Sequence, residues 1–301
     1  MKARNAISRI TLPAPAKINL FLAVTGKRED GFHEINTVLV KLELSDQVIL
    51  ERTDKRDDIE CFCSGNDSLS GRNNLAYKAI EEWRKFTGDR TGMKVTIAKR
   101  IPAMAGLGGG SSDAVATLRA LNLYHGQPYT NEDLVIVAEK LGSDCPYFLH
   151  EGIGHAIGRG EKVRIISRTK QNEINGQRIF LFQPPIGFST PLAYQALAEN
   201  GGYSDYSWAK KVVEEWETGK RGVSDFCHND FELVLQSKYL FLKPIFKELR
   251  DFFGLSFQVS GSGSSCFCFV SEVVDEKPVR DLIYRSLGIE TKFWVSRIRV
   301  N

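Results

Sequence analysis

The stretch IPAMAGLGGGSSDAVATLRALN, residues 101–122, crowds glycines and serines directly against a run of good helix formers. Upstream, MKVTIA (93–98) alternates and is rich in β-branched residues, as a half-buried strand is. Downstream, Ala114, Val115, Leu118 and Leu121 recur at helical spacing. A glycine-rich turn in that position is either a tight connection with a serine cap or an anion cradle. The first N–H groups of a helix lack internal partners, and the helix dipole makes that end positive. Glycines let backbone approach a ligand with no Cβ in the way, and Ser111 and Ser112 add hydroxyl donors and could cap the helix. The chemistry of a cradle would be phosphate binding. Neither common glycine-loop spacing fits: no Lys follows the glycines as G-x-x-x-x-G-K-[ST] requires, and Gly106-Leu107-Gly108-Gly109-Gly110 does not follow G-x-G-x-x-G.

Four further constellations carry reactive side chains. In APAKINLFL, Lys17 stands at the start of an alternating strand, and in GSDCPYF, Asp144 follows a helix stop at Gly142 and precedes Pro146. DGFHEINT sets Phe32 and His33 beside a turn, an aromatic and an imidazole suited to a flat heterocycle, and SGSGSSCF (260–267) is a second glycine turn. Each has an ordinary reading alone: a solvated lysine, a turn aspartate, a packed Phe, a β-hairpin. Jointly they supply what phosphoryl transfer needs: donors and cations for phosphates, a carboxylate for the nucleophile, and a pocket for the acceptor.

The elements that must position these groups follow from periodicity. Strands are expected in INLFLAV, TVLVKLEL, QVILER and IECFC, with Asp30-Gly31 turning the first pair. A helix is expected from about 74 to 86 with an Asn cap, then strand 93–98, helix 111–124, and a helix capped by Thr130 and Asp133 that stops at Gly142. Strands are expected near 153–159 and 178–183. After residue 186 helices dominate, near 190–199, 206–218, 228–236, 239–252 and 275–287, with strands at SFQVS, CFCFV and 291–299. The polar SRTKQNEINGQR (167–178) reads as a hairpin or boundary. The expectation is a two-lobed α+β protein with a cleft between the lobes.

At 301 residues the chain makes one large domain or two ordinary ones, and 42% hydrophobic residues suffice for a core. A net charge of +3, with no clustered Lys/Arg and aromatic stripe, offers no case for a nucleic-acid partner. No stretch has the apolar length of a membrane span, and MKARNAISRITLPAPAK lacks the apolar core of a signal peptide, so a cytoplasmic protein is expected. The six cysteines lack paired zinc spacing, and the two C-x-C pairs lie in strand patterns, so buried reduced thiols are expected.

The motifs APAKINLFL, DGFHEINT, KRIPAMAGLGGGSSDA, LGSDCPYF, NDFE and SGSGSSCFCF, in this order across residues 13–270, resemble those of the GHMP-superfamily kinases. PAKINLFL with DGFH so soon after resembles the branch that phosphorylates a cytidine-diphosphate-linked methylerythritol in the non-mevalonate isoprenoid pathway. The resemblance implies an N-terminal ribosomal-protein-like α+β domain (1–160) that binds ATP and a C-terminal ferredoxin-like α+β domain (161–301), with the active site between. It implies Lys17 and Asp144 as catalytic residues, the lysine holding the aspartate ionised. It also implies Gly106, Leu107, Gly108, Gly109, Gly110, Ser111 and Ser112 as the ATP phosphate loop, with Asn74, Lys99 and Pro102 near the nucleotide. On the acceptor side it implies Phe32 and Tyr194 sandwiching cytosine, His33 bonding the base edge, and Asn19 and Thr190 contacting the substrate. Mg²⁺ is implied with ATP, and no acidic cluster marks its protein ligands. The aspartate motif departs from the common G-A-D-x-P-F-F at Ser143 and Tyr147, and Phe32 replaces a commoner Tyr, which keeps the stacking face. A kinase for a smaller acceptor, of the homoserine or mevalonate type, would need a small polar pocket rather than Phe32, His33 and Tyr194. An idle nucleotide or sugar sensor would be expected to lack Asp144 or Lys17.

Overall fold

The structure is a computed structural model that describes residues 8–187 and 189–300. In chain order its elements are β1 (Arg9–Lys27), β2 (His33–Arg52), β3 (Ile59–Ser64), α1 (Leu75–Thr87), β4 (Met93–Ala98), α2 (Gly109–Tyr124), α3 (Asn131–Ala138), α4 (Cys145–Leu149), β5 (Gly154–Gly158), β6 (Lys162–Ile165), α5 (Arg168–Ile174) and β7 (Arg178–Gln183). There follow α6 (Thr190–Glu199), α7 (Tyr206–Glu217), α8 (Val223–Phe226), β8 (His228–Asn229), α9 (Phe231–Lys238), α10 (Leu242–Phe253), β9 (Gln258–Val259), β10 (Cys266–Phe269), α11 (Glu276–Leu287) and β11 (Lys292–Arg299). Among the described residues two compact units are present, one of 8–16, 44–103 and 108–150, the other of 17–43, 104–107 and 151–300. They interleave along the chain because β1 and β2 each contribute to both.

In the first unit β3 runs parallel to β4, and β4 pairs antiparallel with the Gln47–Arg52 part of β2. Parallel neighbours need a crossover, and α1 supplies it. The Asn74 side chain accepts from the Ala76 N–H at one end of α1, and Gly88 turns left-handed at the other. The face carrying Ala76, Ile80 and Trp83 is buried, and α1 packs on α2. α2 is itself buried almost all round, which suits its apolar AVATL sequence. The helix begins at Gly109, earlier than expected, with Gly108 as its left-handed cap. Neither serine caps it, because the glycines themselves form the first turn and draw Ser111 and Ser112 into it. Thr130 and Asp133 form the expected capping box of α3, which gives way after Ala138 rather than at Gly142.

In the second unit β2 pairs with β1, β5 and β11, and the sheet continues through β7 and β10 to β9. β6 pairs with β5, and the short β8 lies parallel to β1, with Phe21 opposite His228. β7 is buried on both faces, with Ile179, Phe180, Leu181 and Phe182 inaccessible, as a central strand requires. The core is completed by Leu197 of α6, Phe231 and Leu235 of α9, Phe246 and Leu249 of α10, and Ile283 of α11. Residues 168–174 form a helix rather than a hairpin, since Lys170 and Ile174, four apart, are buried on one face. The helix expected from 228 starts at Phe231, after β8. All six cysteines are free thiols. Among the described residues no helix is long and apolar enough to cross a membrane.

Candidate active site

The first half of the glycine loop belongs to the second unit, where it is fastened to the second glycine turn. The Ser265 N–H donates to Ala105 O (3.1 Å), and the Ser260 hydroxyl donates to Gly106 O (3.1 Å). Gly106 has φ +75°, and a Cβ there would lie 2.1 Å from Ser260 O. Only glycine fits, on both conformational and steric grounds. Leu107 O accepts from the Lys17 N–H at 2.9 Å, so the loop is also pinned to β1. The Lys17 ammonium lies 3.3 Å from where a Cβ of Gly261 would be, and it donates to Asn19 Oδ1 at 2.7 Å. Asn19 Nδ2 in turn donates to Thr37 Oγ1 (2.8 Å), whose hydroxyl donates to Phe21 O (2.6 Å). This chain fixes the Asn19 amide orientation and holds a lysine that is only 4% exposed. Asn229, a residue that sequence reasoning left without a role, braces the same turn by donating to Val259 O and Gly261 O, each at 2.8 Å.

The second half of the loop opens α2 in the first unit. A Cβ on Gly109 would meet Ile101 at 3.0 Å and Lys99 Nζ at 3.2 Å, and one on Gly110 would meet Leu75 at 3.6 Å. The starts of α1 and α2 are thus neighbours, which brings Asn74 near the loop with its amide engaged in capping: Oδ1 to the Ala76 N–H and Nδ2 to Leu69 O, both 2.8 Å. Pro102 is buried. No acidic residue stands in the first turn of α2, and Ser112 Oγ is buried without a hydrogen-bond partner. Unpaired helix N–H groups, a positive dipole end and an orphaned hydroxyl fit an anion such as a phosphate. Lys99 sits beneath this turn with its ammonium bonded to Asp46 and Asp113.

Asp144 occupies the N-cap position of α4, with Pro146 in the helix's first turn, and is half-buried. The next residue, Cys145, is fully buried, and its thiol is pushed up to about 12 by burial, against a hydrogen bond with Ser111. A Cβ on Gly142 would lie 3.6 Å from that sulfur and 4.0 Å from Ser111 Oγ. The Asp144 segment is therefore docked on the first turn of α2.

Among the residues expected to meet the acceptor, the His33 ring stacks on Tyr194 with centroids 4.5 Å apart and planes 21° apart, and His33 Nε2 shares a hydrogen bond of 3.2 Å with the Tyr203 hydroxyl. Burial and then Lys27 lower the His33 pKa, so the ring is neutral near pH 7. Phe32 makes no ring contact with Tyr194 among the described residues. It is 48% exposed, with the Arg159 guanidinium 5.2 Å from its centroid. Tyr203 was not anticipated, and nothing in GGYSDYSW marks it apart from its aromaticity. Thr190, at the start of α6, shares a 2.9 Å hydrogen bond with Ser262, which ties it to the turn beside Lys17. Among the described residues no group of three His, Cys, Asp or Glu could hold a metal ion.

Comparison with known proteins places these observations. The GHMP kinases N terminal domain family matches residues 74–152, which span Asn74, the glycine loop and Asp144. The 4-diphosphocytidyl-2-C-methyl-D-erythritol kinase of Listeria monocytogenes is 34% identical over 273 residues, 90% of each chain. A crystal structure of 4-(cytidine 5'-diphospho)-2C-methyl-D-erythritol kinase is 29% identical and superposes with a TM-score of 0.75 over 97% of this chain and 100% of that one. The homoserine kinase of Cytophaga hutchinsonii, 17% identical with a TM-score of 0.69 over 100% and 98% of the two chains, shares the fold.

Proposed function

Because the chain belongs to the 4-diphosphocytidyl-2-C-methyl-D-erythritol kinases, ATP-dependent small-molecule kinases of the GHMP superfamily, we propose how its residues divide that reaction. The γ-phosphoryl group of ATP passes to the 2-hydroxyl of the methylerythritol moiety, a tertiary and weakly acidic alcohol. Positioning therefore supplies much of the rate. Gly106 to Ser112 hold the ATP phosphates through backbone N–H groups and the serine hydroxyls, with Asn74, Lys99 and Pro102 bordering the nucleotide. Lys17 offsets negative charge on the transferring group. Asp144 accepts the hydroxyl proton or orients it. Asn19 and Thr190 contact the acceptor. His33 addresses the edge of the cytosine, with Tyr194 and Phe32 offering aromatic faces. Mg²⁺, bound with the ATP phosphates, would supply charge neutralisation there.

The observation that carries this reading is the fixation of Lys17: its ammonium is held by Asn19 against the Gly261 turn while its own N–H is bonded to Leu107 of the phosphate loop. The test is ADP release by the purified protein with ATP and, separately, the cytidyl-erythritol, homoserine and mevalonate. The reading expects turnover with the first acceptor alone. Preference for either of the others would contradict it.

A further inference from the structure

Asp46, fully buried, is the centre of a network beneath the start of α2 in the first unit. Its Oδ1 accepts from the backbone N–H groups of Arg100 (2.5 Å) and Ile101 (2.8 Å), and its Oδ2 accepts from Lys99 Nζ (2.5 Å). The same ammonium donates to Asp113 Oδ2 at 2.9 Å and lies against Gly109, 3.2 Å from where its Cβ would be. Asp113 is 2% exposed, and its Oδ1 has no partner. One ammonium thus joins the chain leaving β4, at 99–101, to the first turns of α2, at 109–113. These are the two ends of the glycine loop.

The geometry points to Asp46 and Asp113 as positioning residues of the phosphate loop: through Lys99 they lock both of its ends, so that the N–H groups opening α2 are held in place for the phosphates of ATP. This rests on reading that loop as the ATP phosphate loop. The charge balance makes the device sensitive to protonation. Two ionised carboxylates about one lysine would leave a buried negative charge directly under the anion site. Burial, opposed by Lys99 and reinforced by Asp46, pushes Asp113 up to about 7. The groups facing Asp113 are Lys99, Asp46 of β2, and the thiols of Cys61 and Cys63 on β3, both raised chiefly by burial and so uncharged near neutrality. With Asp113 neutral the network carries one negative charge fewer, and as pH rises and Asp113 ionises the added charge repels phosphate.

The experiment measures KM for ATP and for the acceptor, together with kcat, at pH 6.5 and 8.5 in the parent, Asp46→Asn and Asp113→Asn, with thermal unfolding as a check on folding. Ratios to the parent at each pH cancel the titration of ATP itself. Asp46→Asn is expected to raise KM for ATP about tenfold or more, the scale of a lost charge-assisted hydrogen bond, with a much smaller effect on acceptor KM. Asp113→Asn, which imitates the neutral carboxyl, is expected to lower KM for ATP relative to the parent at pH 8.5 and so flatten the pH dependence. Should Asp46→Asn fail to fold, Asp113→Asn decides. An Asp113→Asn profile identical to the parent's, or a folded Asp46→Asn with unaltered KM for ATP, overturns the proposal. Gly110→Glu separates this from failure of the loop reading. That site is unstrained, with nothing closer than 3.6 Å to a Cβ, and a carboxylate there should repel phosphate. If folded Gly110→Glu binds a non-hydrolysable ATP analogue normally, the loop reading falls and the proposal with it. If it binds poorly while both Asn variants match the parent, the lock alone falls.

Discussion

Gly106→Ala perturbs the contact on which the arrangement of Lys17 depends, and Gly88→Ala supplies a matched control. The two glycines have nearly the same φ, +75° and +76°, but a Cβ on Gly88 meets nothing within 4 Å whereas one on Gly106 would stand 2.1 Å from Ser260 O. A left-handed conformation costs an L-residue about 1–2 kcal/mol. Alanine recovers about 0.4–1 kcal/mol of that by restricting the unfolded chain, so Gly88→Ala should destabilise by about 1 kcal/mol and leave activity unaltered. Gly106→Ala carries the same backbone cost and must also push the 260–265 turn off the loop. That movement strains two hydrogen bonds, Ser265 N–H to Ala105 O and Ser260 Oγ to Gly106 O. At about 0.5–1.5 kcal/mol each, added to the backbone cost of about 1 kcal/mol, the total destabilisation is about 2–4 kcal/mol. Displacement of Lys17 by as little as about 1 Å is of the size that costs about 10²-fold in rate. Urea unfolding and kcat/KM of both variants give the comparison. Equal stability losses in the two, with Gly106→Ala as active as Gly88→Ala, would refute the reasoning that this glycine is there to admit Ser260.

Asp144→Asn should retain binding of a non-hydrolysable ATP analogue and lose about 10²-fold or more in kcat, as read by single-turnover kinetics. Tyr194→Ala should weaken acceptor binding about 5- to 150-fold on the scale of base–aromatic stacking, about 1–3 kcal/mol, while Tyr194→Phe costs little. Titration calorimetry with the cytidyl-erythritol decides, with ATP-analogue affinity as the unaffected reference. Tyr203→Phe removes the partner of His33 Nε2 and should relax discrimination between cytidine- and uridine-linked acceptors. His155 is held neutral by burial, with Arg164 adding to it, and its pKa is lowered to about 4, while its Nε2 pairs with Asn36 Oδ1 at 2.9 Å. Between about pH 4 and 6.5 the unfolded chain binds this proton and the folded one does not, so stability should fall as pH drops through that window. His155→Gln should show a smaller loss of Tm between pH 6.5 and 4.5 than the parent.

The residues proposed as reactive stand out only jointly in the sequence: Lys17 after APA, Asp144 before Pro146 and the glycines of the loop each have an ordinary reading alone, and the resemblance is what assigns them roles. Most strands and most helices were legible too, since alternation in MKVTIA and helical recurrence from Ala114 to Leu121 reflect burial directly. α5 was not, because its two buried positions include a lysine, Lys170, that enters the interior with its head on Glu173. β6 (KVRI) was missed because an edge strand with little burial carries almost no hydrophobic signal. The start of α2 lies earlier than propensity suggests because propensity counts glycine as a breaker, whereas here Gly109 and Gly110 open the first turn. Asp46 lies far from the loop in sequence, and only the pairing of β2 with β4, which sets Gln47 opposite Ala98, brings it to Lys99. The stacking of His33 on Tyr194 likewise depends on a tertiary meeting of β2 with α6 that no local pattern encodes.

Transfer of the γ-phosphoryl group of ATP onto the erythritol part of the cytidyl substrate can be followed by ³¹P NMR of ATP and 4-diphosphocytidyl-2-C-methyl-D-erythritol incubated with the purified protein and Mg²⁺. The γ-phosphate resonance is expected to decline as one phosphomonoester resonance grows on the acceptor, with the cytidyl diphosphate resonances retained. Turnover of ATP to free phosphate with no phosphomonoester on the acceptor, or loss of the diphosphate bridge, would contradict it.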